Sequence, residues 1–132
     1  MTSDTTLLLH TRHEPLARQI CAVLDPAAQP IRTHTGDELL RVLRRQRAPV
    51  LLLGLFCEEA RQGVTLWMDQ VKSAVVIALG DPRTEAARQA EAAGAFAILE
   101  PSLTGLLTLP SLIGRATHHA QLQEENRQLR AE

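Results

Sequence analysis

Residues 50–55 read Val-Leu-Leu-Leu-Gly-Leu, and residues 75–79 read Val-Val-Ile-Ala-Leu. Neither run alternates apolar with polar residues, so neither suits a strand with one wet face. Both suit strands covered on two sides, which is the habit of parallel sheets. Three further apolar runs, at 6–9, 29–33 and 96–99, lie outward from these two. The segments between them, 14–24, 37–45, 58–71 and 83–93, carry apolar residues three and four apart with charges elsewhere, the period of helices packed on one side. Alternation of the two patterns predicts an α/β fold with five parallel strands and flanking helices. Right-handed crossovers bring the strand ends to one edge, so functional residues are expected after Leu9, Leu55, Leu79 and Leu99.

The composition narrows the function. Fourteen Lys and Arg against fifteen Asp and Glu leave a formal charge of −1, which argues against direct nucleic-acid binding. Only Phe56, Trp67 and Phe96 are aromatic, so stacking platforms for single strands are missing. No apolar run is long enough to span a bilayer, and MTSDTTLLLH has neither the basic start nor the cleavage site of a secretory signal. A cytoplasmic chain without membrane contact is expected. Cys21 and Cys57 are too few for a zinc framework or a disulfide scaffold. With no GxSxG, P-loop or GxGxxG and no nucleophile beside a base, neither an enzyme nor a cofactor is expected.

From Leu103 the pattern changes. An apolar stretch interrupted by Pro110 and Gly114 should pack on the sheet, and it leads into HHAQLQEENRQLRAE. Leu122 and Leu129 are seven apart, with His119 and Asn126 three residues before each, as in a short heptad pattern; an Asn at such a position commonly selects a parallel two-stranded pairing.

The element order, the segment GAFAILEP at 94–101 and the tail LQEENRQLRAE resemble the receiver domains of bacterial response regulators. In particular they resemble receivers that precede the ATPase module of NtrC-type, sigma-54-dependent activators, where the fifth strand often reads GAYAFLEKP and the last helix runs into a linker similar to EENRxLR. The resemblance implies a CheY-like (flavodoxin-like) sheet with an extended C-terminal helix. It also implies a receiver domain over 1–117 and a helical linker over 118–132 toward a downstream ATPase or DNA-binding domain of a longer chain.

A phosphorylatable receiver of that family needs an acidic pair after the first strand for Mg²⁺, an Asp ending the third, a Thr or Ser after the fourth and a Lys after the fifth. The carboxylates hold the hard cation, the Asp attacks in line, and the hydroxyl and ammonium stabilise charge on the transferring group. Carried over by position, the acidic pair is Thr11 and Arg12, or Arg12 and His13 in a register shifted by one. Gly54 stands for the acceptor, since VLLLGL matches VLLDL and Gly63 then falls where the family opens its third helix with Gly. Leu79 and Gly80 stand for the hydroxyl, the Lys is deleted or replaced by Glu100, and the switch aromatic is Ile98. Glu58 and Glu59 follow the acceptor position by four and five residues, too far for in-line attack. Five losses on a retained scaffold imply a degenerate receiver, similar to those of the flagellar master-regulator group (FleQ and its relatives). Such a domain acts by protein–protein contact. Receivers usually pair through the fourth helix, fifth strand and fifth helix, so the resemblance implies a homodimer through Leu103, Leu106, Leu112, His119, Leu122, Asn126 and Leu129.

Other readings compete. The vacated pocket could bind a small anion through Arg12, the backbone of Gly54 and Gly80 and the following helix starts, unless an internal contact such as Arg12 with Glu14 or Asp81 closes it. Asp81, in LGDPR, reads as a turn residue, and Glu14 as a carboxylate favoured at a helix N-terminus. His10, His13, His34 and Cys57 fall near one edge, but their spacing is poor for a metal, and His118 and His119 diverge on a helix. The arginines of RVLRRQR at 41–47 read as a solvated face or a docking surface.

Overall fold

The computed structural model of the chain describes residues 6–11, 13–26, 29–46, 49–55, 68, 69, 71 and 74–131. In chain order the elements are β1 (Leu7–His10), α1 (Glu14–Val23), β2 (Ile31–Thr33), α2 (Gly36–Leu43), β3 (Val50–Gly54), β4 (Val75–Leu79), α3 (Glu85–Ala92), β5 (Ala97–Leu99) and α4 (Leu103–Ala131). The strands form one parallel sheet in the order β2-β1-β3-β4-β5, a flavodoxin- or CheY-like α/β arrangement. Of the helix expected over 58–71, only Met68, Asp69 and Val71 fall among the described residues.

Strand periodicity explains why the two central runs are apolar throughout. Val50 and Leu52 of β3 point into a layer with Leu16 and Ile20 of α1 and Leu106, Leu109 and Ala116 of α4. Leu51 and Leu53 point the other way, into Leu39 and Leu43 of α2 and Ala86, Ala87 and Ala90 of α3. Every residue of β3 and β4 is buried. Each fully buried Leu, Ile or Val contributes about 1.5–3 kcal/mol, so this double-sided burial holds the layers together.

Local chemistry sets the helix ends. His13 Nδ1 accepts the Leu16 N–H, Thr35 Oγ1 accepts that of Glu38, and Thr84 Oγ1 accepts that of Ala87, each satisfying a donor that the first helical turn leaves unpaired. After α3 the chain reverses at Gly94, whose φ of 106° is open to glycine at little cost.

One strand end differs from expectation. β1 runs one residue further than the apolar pattern, because His10, only 3% exposed, is hydrogen-bonded through Nδ1 to Thr33 Oγ1 at 2.8 Å and so can end a buried strand. The extended C-terminal helix is present as expected, and α4 passes unbroken through Pro110 and Gly114. An interior Pro costs a helix about 3 kcal/mol, yet Leu106, Leu109, Leu112, Ala116 and Ala120 bury one stripe of α4 against the sheet and α1, and that packing outweighs the lost bond. Among the described residues no helix is long and apolar enough to cross a membrane.

Candidate functional site

The strand ends at the C-terminal edge bring together the positions marked by the sequence. Parallel pairing sets His10 beside Leu53 and Thr33, Gly54 beside Leu79, and Leu79 beside Leu99. Thr11, Gly54, Leu79 and Gly80 are therefore neighbours. Arg12 lies outside the described residues, as do Cys57, Glu58, Glu59 and Gly63.

The centre of this edge is filled. A Cβ added to Gly54 would come 2.8 Å from Thr11 Oγ1 and 3.0 Å from Thr11 Cβ. Thr11 is 2% exposed, so its side chain does not turn out into solvent. It is also held from two directions: Oγ1 accepts the His13 N–H at 3.1 Å, and the Thr11 carbonyl accepts from the Arg32 guanidinium at 3.4 Å. The side chain at 11 occupies the volume that a side chain at 54 would enter, so the two positions interlock.

A second interlock lies one strand over. A Cβ on Gly80 would meet Leu55 Cβ at 3.2 Å and Cδ1 at 3.3 Å, and Leu55 is itself buried. The backbone donors beside it are engaged: the Leu55 N–H reaches the Leu79 carbonyl and the Gly80 N–H the Leu99 carbonyl, both at 3.0 Å. An anion at this edge would have to compete with sheet hydrogen bonds for the Gly80 N–H.

The acids near the edge are committed elsewhere. Glu14 accepts from Arg32 at 2.9 Å, and that hydrogen bond together with the guanidinium charge holds its carboxyl below the usual glutamate range. Asp81 accepts from Arg83 Nε at 3.1 Å and from its other guanidinium nitrogen at 3.0 Å, which lowers the Asp81 carboxyl and raises the Arg83 guanidinium. Its Oδ1 also accepts the Arg83 N–H, so Asp81 shapes the turn before α3, as LGDPR predicts. Glu14 thus closes on Arg32 and Asp81 on Arg83, while the Arg12 contact considered from sequence lies outside the described residues. Glu100 is exposed at the end of β5, where its charge adds to the raising of Arg83. Ile98 is half-buried against the α2–α3 layer.

The histidines are dispersed in role. His10 is the buried partner of Thr33, His13 caps α1, and His34 accepts from Arg32 at 3.3 Å while lying 3.8 Å from both Glu14 and Glu38. Among the described residues no three His, Cys, Asp or Glu converge as metal ligands would. Arg41, Arg44 and Arg45 are exposed around the end of α2, and Arg47 lies outside the described residues.

The candidate dimer residues separate into two groups. Leu106 and Leu112 are 5% and 8% exposed and belong to the chain's own core, so neither is open to a partner. Leu103, Leu122 and Leu129 are 80%, 50% and 69% exposed. Asn126 is exposed, and His119, although exposed, rests against Phe96 with ring centroids 5.3 Å apart. Sequence reasoning missed Leu107, which is 66% exposed, because its apolar neighbours made the whole stretch read as core. It also missed the Thr11–Gly54 and Leu55–Gly80 contacts. The signal available was a glycine ending one strand and another following the next, each able to admit a neighbour's side chain.

Comparison of the chain with family models, with curated proteins and with solved structures finds no match.

Proposed function

We propose that this chain is a degenerate receiver domain: a non-catalytic, phosphorylation-independent regulatory module that works through protein–protein contacts, including a homodimer. The observation that carries the reading is the interlock of Thr11 with Gly54. The sheet order and the strand ends on which a receiver would build its phosphorylation site are retained, but the acceptor position is a glycine whose side-chain volume is held by Thr11. The exposed leucines of α4 support an associative role, since scattered apolar side chains are ordinary but several on one helix face mark a contact surface. In this reading the tail helix leads toward the ATPase or DNA-binding domains of a bacterial, NtrC-type transcriptional activator, in the cytoplasm, and the domain itself touches neither nucleic acid nor membrane. It fixes the spacing of downstream modules by pairing, and it requires no cofactor.

The test is chemical. Incubated with acetyl phosphate and Mg²⁺, or with beryllium fluoride and Mg²⁺, the chain should keep its mass and its amide spectrum. A stoichiometric acid-labile adduct would refute the reading.

A further inference from the structure

We propose that the exposed arginines at the end of α2 are a docking surface for a carboxylate-rich segment of another protein. The surface uses no residue of the strand-end edge or of α4, so its failure would leave the receiver and homodimer readings untouched, and theirs would leave it.

The inner face of α2 decides where the patch points. Leu39 and Leu43 are buried in the layer shared with α3, which turns Arg41, Arg44 and Arg45 out to solvent. The turn that carries them is anchored. The Arg45 N–H reaches the Val42 carbonyl at 3.1 Å, the Gln46 N–H reaches the Leu43 carbonyl at 3.2 Å, and Gln46 Oε1 accepts from Thr6 Oγ1 just before β1. The cations thus stand on ordered backbone near the starts of the strands, at the edge opposite Thr11 and Gly54. A partner meeting them has only side chains left to order, which keeps the entropic cost of docking low.

Among the described residues the charge of this patch is unanswered. Arg32 pairs with Glu14, Arg83 with Asp81 and Arg127 with Glu124. Arg41, Arg44 and Arg45 form no ion pair there, not even Arg41 with Asp37 one turn before it. Glu38 is engaged at the other end of α2, where it accepts the His34 N–H at 2.6 Å. From residue 39 to residue 57 the sequence contains no Asp or Glu, while 41–47 holds four arginines. Cations three and four apart on a helix repel one another, and the partial negative charge at the end of α2 offsets only part of them. An acidic partner would relieve that repulsion.

Charge and geometry together set the partner's chemistry. Guanidinium forks donate to carboxylates through two parallel hydrogen bonds. Arg41 and Arg44, one turn apart, match acids spaced three or four residues apart on a partner helix. A phosphate backbone suits the patch less well. Without the four arginines the chain carries ten cations against fifteen acids, so the surface around the patch repels an extended polyanion. A lipid surface would call for apolar side chains beside the cations, and among the described residues none of the large exposed hydrophobics lies on α2.

Fluorescence anisotropy of a labelled peptide with glutamates at three- and four-residue spacing tests this on the whole chain, at about 150 mM salt to screen long-range attraction. Saturable binding is expected, at least about tenfold weaker for the triple variant Arg41→Ala, Arg44→Ala, Arg45→Ala, and absent when the peptide's glutamates are replaced by glutamine. Amide chemical shifts on binding should move at 40–47. The same charge change made at other exposed positions, by Arg18→Ala, Arg115→Ala and Arg130→Ala, should leave affinity within about twofold. An equal loss there would show net charge alone at work and would overturn the docking surface. Circular dichroism confirms that both triple variants fold, and Arg44→Glu alone serves in place of the first if it does not. No binding by the unaltered chain, or tighter binding of duplex DNA or of phosphatidylserine vesicles, would overturn the carboxylate partner.

Discussion

Replacing Gly54 by Ala isolates the contact on which the account of the edge depends. The added methyl would sit 2.8 Å from Thr11 Oγ1 and 3.0 Å from Thr11 Cβ. Rotating the threonine could relieve the first approach but not the second, and Thr11 is too buried to move outward. Overpacking of this kind costs about 1–3 kcal/mol. Against it stands the gain of about 0.4–1 kcal/mol that Gly→Ala confers at an unstrained site by restricting the unfolded chain. The clash should win, leaving a net loss of about 1–2 kcal/mol, read as a lower urea midpoint with unchanged m. The same substitution made in a Thr11→Gly background meets no Cβ at position 11, so there it should be neutral or stabilising. The coupling of about 1–3 kcal/mol between the two sites is the quantity that decides. Equal effects of Gly54→Ala in both backgrounds would refute the interlock.

Other consequences are as direct. Gly54→Asp should take up no label from acetyl phosphate, since among the described residues no cluster of metal-ligating side chains accompanies the new carboxylate; efficient labelling of that variant would reveal a Mg²⁺ site elsewhere. Glu14 has a lowered carboxyl pKa, so its pairing with Arg32 contributes above the unfolded glutamate pKa and is lost as pH falls through the lower folded value. Glu14→Gln should therefore flatten the fall of the urea midpoint across that acidic window, and parallel curves would show that the pair contributes nothing. Thr33→Val removes the buried bond to His10 Nδ1 and should cost about 1–3 kcal/mol in chemical denaturation, with Thr33→Ser largely sparing it. Leu122→Asp with Leu129→Asp should weaken self-association at least about tenfold without altering the melting of the monomer, because both side chains lie beyond the core.

How much of this was legible in the sequence follows from which forces act locally. The unbroken apolar runs of β3 and β4 announced a doubly covered parallel sheet because their period is a property of the strand itself. The end of β1 was misplaced by one residue because burial of His10 depends on Thr33, twenty-three positions away. The extended last helix was legible despite Pro110, which the packing of the surrounding leucines carries within α4. At the edge, the residue types could be read directly, but what filled the space could not. The fit of Thr11 against Gly54 is a contact between strand ends forty-three residues apart in sequence, set by the sheet register rather than by any motif. On α4 the exposure of Leu107 was hidden by its neighbouring leucines, since an apolar letter carries no direction until one face of the helix is placed on the sheet.

The proposed role, pairing without phosphate, has one direct test. Sedimentation velocity over a wide concentration series, with and without acetyl phosphate and Mg²⁺, tests it in one measurement. A reversible shift from monomer to dimer, with a midpoint on the order of micromolar or above, and identical profiles in the two series are expected. A monomer at every concentration, or a dimer that forms only with the phosphoryl donor, would contradict it.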